Sequence, residues 1–481
     1  MEDLIGLIPA AGKGTRAYPY THRIPKGMLP INGVPNIERL VVLMRDQLGI
    51  RNIVIVVGYQ GQVIRRHLGD GSRLAVHITY LQNDELDKGW AWSVLLARPY
   101  VKTRCCVMLS DECYVDSNHA ELLSFDHGDA MATCAVMPVT DTQQIRKNYA
   151  VRIAAGRITE LVENPNTIFN NLLGLGTFVF HRRFFDHIAA AFEKNPQGEV
   201  DCVSLMANLC RDNQTVRAFE MRGNYVNIND RDSLQLAKYF VRESGYPHFS
   251  TTLLIYSEGD EDNLQLTIDE YRRVPGIDHM VVILPHRNTI ADRVRANGVR
   301  ILQCPPHVRL YGEKIKYAMD RAPGDILVLT EASYSFHARD LVKLQAYLKE
   351  ADMVIGTRTT RQLIRQGANM RGIVRLANIA LAKLLEVLWW ERECRFTDVG
   401  CTFRAVWRSS YDRISGQLKS PGPEFSVEMM IELMRARERI IEIPVSYHGL
   451  SFSMYRKYQN LDTFKRMLRR IIASRTEHRN R

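Results

Sequence analysis

The sequence predicts an α/β protein of two tandem domains, each a mostly parallel sheet covered by helices. Three observations predict it. Short β-branched runs alternate with stretches of helical spacing through the first half, the pattern of parallel strands joined by crossover helices. The alternation restarts near residue 251, after a stretch carrying Gly, Pro and Ser at Glu243–Ser250. The 481 residues are enough for more than one core at roughly 100–200 residues per domain. The domains are set at 1–245 and 246–481, with Glu243–Ser250 as the linker.

The elements follow in order. Leu4–Ile8 reads as a short apolar strand that ends in a glycine-rich turn. Asn36–Leu48 has helical spacing, Asn52–Val57 is a β-branched strand, and Gln62–Leu68 is helical. Val76–Tyr80 is a strand, Trp90–Ala97 a helix, and Cys105–Leu109 a strand that stops at Ser110-Asp111-Glu112. In the second half, Thr252–Tyr256, His279–Ile283, Val299–Leu302 and Asp325–Leu329 read as strands. Leu264–Val274, Ile290–Asn297 and Ile315–Arg321 read as the helices between them.

Composition narrows the class. Hydrophobic residues at 46% and charged residues at 24% suit a soluble globular chain. No window approaches the ~18 uninterrupted apolar residues of a membrane span, and the start lacks the basic and apolar regions of a signal peptide. Nine cysteines without a C-x-x-C pair argue against a zinc site or disulfide framework, so a reducing cytoplasm is expected. The net charge of +11 favours an anionic ligand, while the absence of a nucleic-acid motif argues against duplex binding. Nine Lys or Arg lie between Arg456 and the end, against Asp462 and Glu477 alone. There Leu461, Phe464, Met467, Leu468, Ile471 and Ile472 share one helical face with Lys465, Arg466, Arg469 and Arg470 beside it. Such a helix either docks on its own domain or lies on an anionic membrane.

The chemistry starts in the loop after the first strand. Residues 8–30 run Ile-Pro-Ala-Ala-Gly-Lys-Gly-Thr-Arg, then Pro25-Lys26 and Met28-Leu29-Pro30. Small residues after a strand let backbone N–H groups approach phosphate oxygens. The loop is neither a Walker loop nor a dinucleotide fingerprint, because Gly14 follows Lys13 and the third glycine is missing. The longer pattern resembles the G-x-G-T-R…P-K…L-P motif of sugar-phosphate nucleotidylyltransferases, nearest to the UTP–glucose-1-phosphate uridylyltransferases, over residues 3–240.

The resemblance implies that a phosphate oxygen attacks the α-phosphorus of a nucleoside triphosphate and pyrophosphate leaves. Catalysis is then positioning plus positive charge and magnesium. It assigns Arg16, Lys26 and Asp111 to catalysis and Ala10, Ala11, Gly12, Gly14 and Thr15 to the triphosphate. Asp111, at the carboxyl end of a strand, stands where the family's metal-binding aspartate stands. Either Gln82 or Asn83, one register apart, takes the base-reading part together with Gly89. Glu163, Asn164 and Gly176 take the second substrate. Two departures stand out. Asn227 replaces the second metal-binding aspartate, with Asp230 nearby to compensate. Glu163-Asn164-Pro165 lacks the lysine of E-K-P that meets the sugar phosphate, which leaves the substrate class open to alcohol phosphates.

The second half resembles family 2 glycosyltransferases of the dolichyl-phosphate mannose synthase type, which implies a second nucleotide-diphospho-sugar transferase (GT-A type) fold. The carriers are Glu258 near the first strand, Gly324-Asp325 before the fourth, Gly356-Thr357-Arg358, Asp398 through Arg404, Glu424 through Glu428, and Glu442-Ile443-Pro444. The resemblance makes Glu331, Asp398, Arg404 and Glu428 its site residues and a polyprenyl phosphate its acceptor. The metal-binding D-x-D, however, reads Glu331-Ala332-Ser333. Two readings follow: a bifunctional enzyme that makes and then transfers a nucleotide-sugar, or a nucleotidylyltransferase fused to a non-catalytic binding or assembly module, with homo-oligomers in keeping with either.

Overall fold

The computed structural model describes residues 4–259, 263–288, 290, 294, 298–365, 368, 370, 372–390, 394–448 and 460–479. Backbone contacts divide the chain into two compact units, Met1–Ser244 and Gly245–Arg481.

The strands of the first unit are β1 (Ile5–Ala10), a hairpin β2 (Pro30–Ile31) and β3 (Val34–Pro35), β4 (Asn52–Val57), β5 (His77–Gln82), β6 (Arg104–Met108), β7 (Glu112–Val115), β8 (Ala132–Pro138), β9 (Tyr149–Ala154), β10 (Arg157–Glu163), β11 (Leu172–His181), β12 (Val216–Glu220) and β13 (Asn224–Asn227). Its helices are α1 (Asn36–Leu48), α2 (Gly61–Leu68), α3 (Trp90–Leu96), α4 (Phe184–Lys194), α5 (Cys202–Arg211) and α6 (Arg231–Gly245). Nine strands form one sheet in the order β5-β4-β1-β6-β11-β8-β12-β10-β9.

The β5-β4-β1-β6 half is parallel, as crossover helices require. Beyond it the sheet is mixed, which corrects the expectation of a mostly parallel arrangement here. β11 runs antiparallel to β6 and β8, and β10 antiparallel to β9 and β12. The reason is local at β9 and β10. Ala155 and Gly156, at φ 48° and 74°, form the two-residue turn that joins antiparallel strands. The linker expected at Glu243–Ser250 is helical in its first part, since α6 continues to Gly245 and a short 3-10 turn covers Tyr246–His248.

The second unit holds β14 (Thr251–Tyr256), β15 (His279–Leu284), β16 (Val299–Gln303), β17 (Ile326–Glu331), β18 (Met353–Thr357), β19 (Arg404–Trp407) and β20 (Ile440–Pro444). They form a seven-stranded sheet in the order β16-β15-β14-β17-β19-β18-β20, antiparallel only where β19 meets β17 and β18. The helices are α7 (Leu264–Tyr271), α8 (Tyr311–Met319), α9 (Leu341–Leu348), α10 (Gly372–Leu388), α11 (Arg408–Ser415), α12 (Phe425–Arg435) and α13 (Leu461–Arg479). The helix expected over Ile290–Asn297 lies largely outside the described residues. All nine cysteines are free, and Cys105 and Cys106 are buried in β6. No described helix is long and apolar enough to cross a membrane.

Candidate active site

The site of the first unit lies beyond the carboxyl ends of β1 and β6, where a parallel sheet leaves a crevice. The loop after β1 turns back at Gly14, whose φ of 62° is left-handed. A Cβ at Gly14 would stand 3.1 Å from the Cβ of Lys26, so this glycine lets the loop lie against the lysine. Thr21 fixes the turn by donating from Oγ1 to the Gly14 carbonyl at 2.8 Å.

Asp111 sits in the turn between β6 and β7. Asn36, the first residue of α1, pins that turn by donating from Nδ2 to the carbonyls of Ser110 and Glu112, each at 2.9 Å. β13 pairs with β7, and the Ile228 N–H donates to the Asp111 carbonyl at 2.9 Å. That pairing brings Asn227 and Asn229 beside Asp111. The Lys26 ammonium donates to Asp111 Oδ2 at 2.6 Å and to Asn229 Oδ1 at 2.7 Å. Asn229 Nδ2 donates to Asn227 Oδ1 at 2.9 Å, and Asn227 Nδ2 to Asn148 Oδ1 at 3.0 Å. A chain of amides therefore runs from Lys26 across the floor of the cleft.

Among the described residues no group of three or more His, Cys, Asp or Glu could hold a metal. Magnesium does not require one, because it is commonly held by one or two carboxylates plus phosphate oxygens. Asp111 is one such carboxylate, and Asn227 and Asn229 line the same cleft. Asp230, expected to compensate for Asn227, is not among the residues that line the cleft. Its Oδ1 accepts from the backbone N–H and the hydroxyl of Ser233 at 2.9 and 2.7 Å, a local capping arrangement at the start of α6.

Behind Asp111 lies Glu112, 1% exposed. Burial, with the charge of Asp111 added, pushes its carboxyl up to about 8. Tyr114 donates to its Oε2 at 3.2 Å. Gly176, expected to touch substrate, lines the cleft and also makes room for this carboxyl: a Cβ there would stand 2.7 Å from Glu112 Cδ.

The far wall carries Glu163 at the end of β10, Asn164 in a left-handed conformation at φ 44°, and Asp201 capping α5. Asp201 accepts from the Ser204 N–H at 2.7 Å and from Trp90 Nε1 at 2.9 Å. Desolvation, and then the neighbouring Asp201 carboxylate, push Glu163 up to about 7, while Arg16 pulls it down. Two carboxylates, Glu163 and Asp201, thus line the cleft side by side.

The cleft measures about 390 Å³. It brings together Ala10, Gly12, Gly14, Thr15, Arg16, Lys26, Asp111, Glu163, Asn164, Gly176 and Asn227. Four expected residues are not on its wall. The Ala11 carbonyl accepts from the Tyr59 N–H at 3.0 Å. Asn83 is buried, donating to Ser93 Oγ at 2.9 Å and accepting from the Glu85 N–H at 2.8 Å, so its amide is engaged within the fold. Gln82 donates to Asp84 at 3.0 Å. Gly89, at φ 78°, leaves room for the Val200 carbonyl, which a Cβ would meet at 3.0 Å. Lys147, Asn148, Trp90, Asp201 and Asn229 line the cleft without having been singled out in the sequence. Only Asn229, two positions from Asn227, carried a local hint.

In the second unit Glu331 ends β17 and lines an apolar cavity of about 510 Å³. Thr402 Oγ1 donates to its Oε1 at 2.6 Å. Ala332 is fully buried, and Ser333, where the D-x-D pattern has its second aspartate, is buried with its hydroxyl hydrogen-bonded to that of Ser335. The other three expected residues are fastened into the frame. Asp398 accepts from Arg358 Nε at 2.7 Å and Nη2 at 2.8 Å. Arg404 donates to the Ser426 carbonyl at 2.9 Å. Glu428 accepts from the Lys419 and Ser420 N–H groups at 3.0 and 2.7 Å. None of these three lines the cavity.

The family model described as nucleotidyl transferase matches residues 5–244. A UTP–glucose-1-phosphate uridylyltransferase, AglF of Haloferax volcanii, is 30% identical over 233 residues, which is 48% of this chain and 94% of that protein. The chain belongs to the nucleotidyl transferase family. A glucose-1-phosphate thymidylyltransferase of Xanthomonas campestris pv. campestris is 30% identical over 204 residues, 42% of this chain and 67% of the relative. The bifunctional protein GlmU of Methanococcus aeolicus is 27% identical over 224 residues, 46% of this chain and 50% of its own length. Among solved structures, a putative glucose-1-phosphate thymidylyltransferase from Bacillus anthracis aligns with a TM-score of 0.45 at 24% identity, covering 50% of this chain and 96% of that one. The nucleotidyl transferase match ends at residue 244, where the first compact unit ends.

Proposed function

We propose that the first unit joins a nucleoside monophosphate to a sugar 1-phosphate and releases pyrophosphate. The observation that carries this reading is Lys26, held between Asp111 and Asn229 at the floor of a cleft entered by the Gly12–Arg16 loop. A phosphate oxygen of the second substrate attacks the α-phosphorus, a new P–O bond forms, and the bond to the β-phosphate oxygen breaks. Negative charge crowds that transition state, so cations fixed in place do most of the work. Arg16 and Lys26 supply them. Glycine at positions 12 and 14 keeps side chains away from the triphosphate. Glu163 and Asp201 suit the hydroxyls of a sugar, since carboxylates accept from them. Asp111 would hold magnesium with Asn227 beside it, and the ion, when bound, would neutralise phosphate charge.

The names of the relatives make UTP, dTTP and glucose 1-phosphate the first substrates to try. A panel of nucleoside triphosphates against sugar phosphates and alcohol phosphates, read by pyrophosphate release, tests the reading. Turnover with sugar phosphates is expected; turnover confined to an alcohol phosphate would move the substrate class, as Asn164 in place of lysine allows. No turnover with any pair would sink the proposal.

For the second unit we propose transfer of the sugar to a lipid phosphate such as a polyprenyl phosphate. The support is Glu331, a strand-end carboxylate facing an apolar cavity. In the full chain, calorimetry with the nucleotide-sugar made by the first unit should show a second magnesium-dependent binding event beside that of the first unit, and Glu331→Gln should remove the second event alone. Unchanged heat in that variant would leave a binding module.

A further inference from the structure

α10 is apolar on two sides. Leu381, Ala382 and Leu385 are buried and join the core that holds Trp389. The outward side carries Ile373, Leu376 and Val387 at 83%, 62% and 73% exposure, with Trp390 just past the helix end at 73%. With Ala380 and Lys383 these form one stripe at helical spacing, all exposed. Exposed apolar residues are ordinary when scattered; here four large ones, Ile373 with Leu376 and Val387 with Trp390, share one helical face on either side of Ala380 and Lys383, which marks a surface that meets something.

α13 packs against α10. Its Met467 and Ile471 are buried in the same core, with Phe464 and Leu468 packed on it. The apolar face anticipated as a membrane contact is thus mostly committed within the domain. What α13 leaves outside is basic: Lys465, Arg466 and Arg469 are exposed between Leu461 and Ile472. Asp462 engages Arg466 at 2.8 Å, and on α10 Glu386 engages Lys383 at 2.7 Å. Lys465 and Arg469 remain as the positive excess.

We propose that the outer stripe of α10 and the basic side of α13 form a docking face for an anionic lipid bilayer. Apolar residues enter the headgroup boundary and cations meet the headgroups, the combination by which a helix lies in a membrane surface. Charge selects this occupant over a second copy of the chain, which would set basic residues against the same basic face. A further feature agrees: Ile373 and Leu461, both exposed on this face, also line the apolar cavity, so the cavity adjoins the face. The inference does not require the second unit to be catalytic.

Flotation of the full chain with vesicles tests it. Phosphatidylcholine vesicles containing phosphatidylglycerol should carry the protein up, pure phosphatidylcholine much less, and added salt should release it. Leu376→Glu with Trp390→Glu should lower binding at least ~10-fold, because a charge in the headgroup boundary opposes insertion. Lys465→Glu with Arg469→Glu should abolish the preference for anionic vesicles. These positions are exposed, and an unchanged circular dichroism melt confirms folding. Wild-type protein that stays down with anionic vesicles would overturn the proposal. So would a wild-type dimer in sedimentation that Trp390→Glu splits, since the face would then belong to a second copy.

Discussion

Lys26 touches Asp111 at 2.6 Å and Asn229 at 2.7 Å, so it holds the cleft floor together as well as its charge. Removing Lys26 or Asp111 should cost catalysis more than folding, because both side chains line the cleft rather than a hydrophobic core. Lys26→Ala and Asp111→Ala should each lower pyrophosphate release by ~10²-fold or more, with the melting temperature little changed. Normal turnover in a folded variant would remove that residue from the mechanism. Asn227→Asp adds a carboxylate next to Asp111 and gives up the donation to Asn148. The magnesium concentration at half-maximal rate should fall, as a hard cation gains charge; an unchanged dependence would take Asn227 out of the metal's surroundings. Glu112 offers a test by pH. Its carboxyl is raised from 4.5 to about 8, so between those values the native state holds a proton that the unfolded chain releases. Stability is then greatest below the lower value and falls as pH rises through the upper one. Glu112→Gln removes that titration, so its melting temperature should drop less than the wild type's between about pH 5 and about pH 8. Parallel curves would show that the buried carboxyl titrates normally. Lys26 and Asp111 were legible because motif and strand end both marked them. Asp201 was not, since nothing local in the sequence tells which way such a residue points, and Asn229 was hinted at only by its place two positions from Asn227.

The strand β11 shows why part of the sheet escaped reading. Leu-Leu-Gly-Leu-Gly-Thr-Phe-Val-Phe-His carries two glycines in ten residues, a pattern that reads as turn. In the fold both glycines are places of close approach. A Cβ at Gly174 would fall 2.0 Å from the Tyr149 ring, and one at Gly176 would meet Glu112 at 2.7 Å. The strand is therefore glycine-bearing because two side chains from neighbouring elements lie across it. By contrast, β4 is a continuous apolar run buried on both faces, and its limits, Asn52–Val57, coincide with the sequence reading. The parallel half of the sheet was read and the antiparallel half was not: β9 and β10 carry exposed positions that break the apolar pattern, and β11, though buried, is interrupted by its glycines. Gly176→Ala tests the close approach. Glu112 is too enclosed to swing away freely, so the added methyl should cost about 1–3 kcal/mol in urea unfolding. A loss within error would mean that the carboxyl moves aside at little cost.

Each unit closes its own hydrophobic clusters. Those around Val107 and Phe178, around Ile8 and Val41, and around Leu29 and Ile228 lie within the first. Those around Leu254 and Met430, and around Ile255 and Trp407, lie within the second. Damage to one core should accordingly leave the other standing, since distant sites with no shared partner add independently. Asp398 is the sharpest probe. It is fully buried and grips Arg358 through two side-chain bonds at 2.7 and 2.8 Å and the backbone N–H at 3.0 Å. Asp398→Asn leaves the Arg358 guanidinium buried without its counter-charge, and breaking such a pair costs about 3–5 kcal/mol. Calorimetry of the full chain should resolve two transitions in the wild type. In the variant one should fall by several degrees and the other should stay. Nucleoside triphosphate with magnesium should raise the one that stayed, because a ligand stabilises the fold that binds it. Pyrophosphate release, measured below both transitions, should remain within about twofold, the loss lying outside the unit that performs the step. A single transition that moves as a whole would mean that the two units unfold as one, and a large loss of turnover would make the second unit part of the first unit's chemistry.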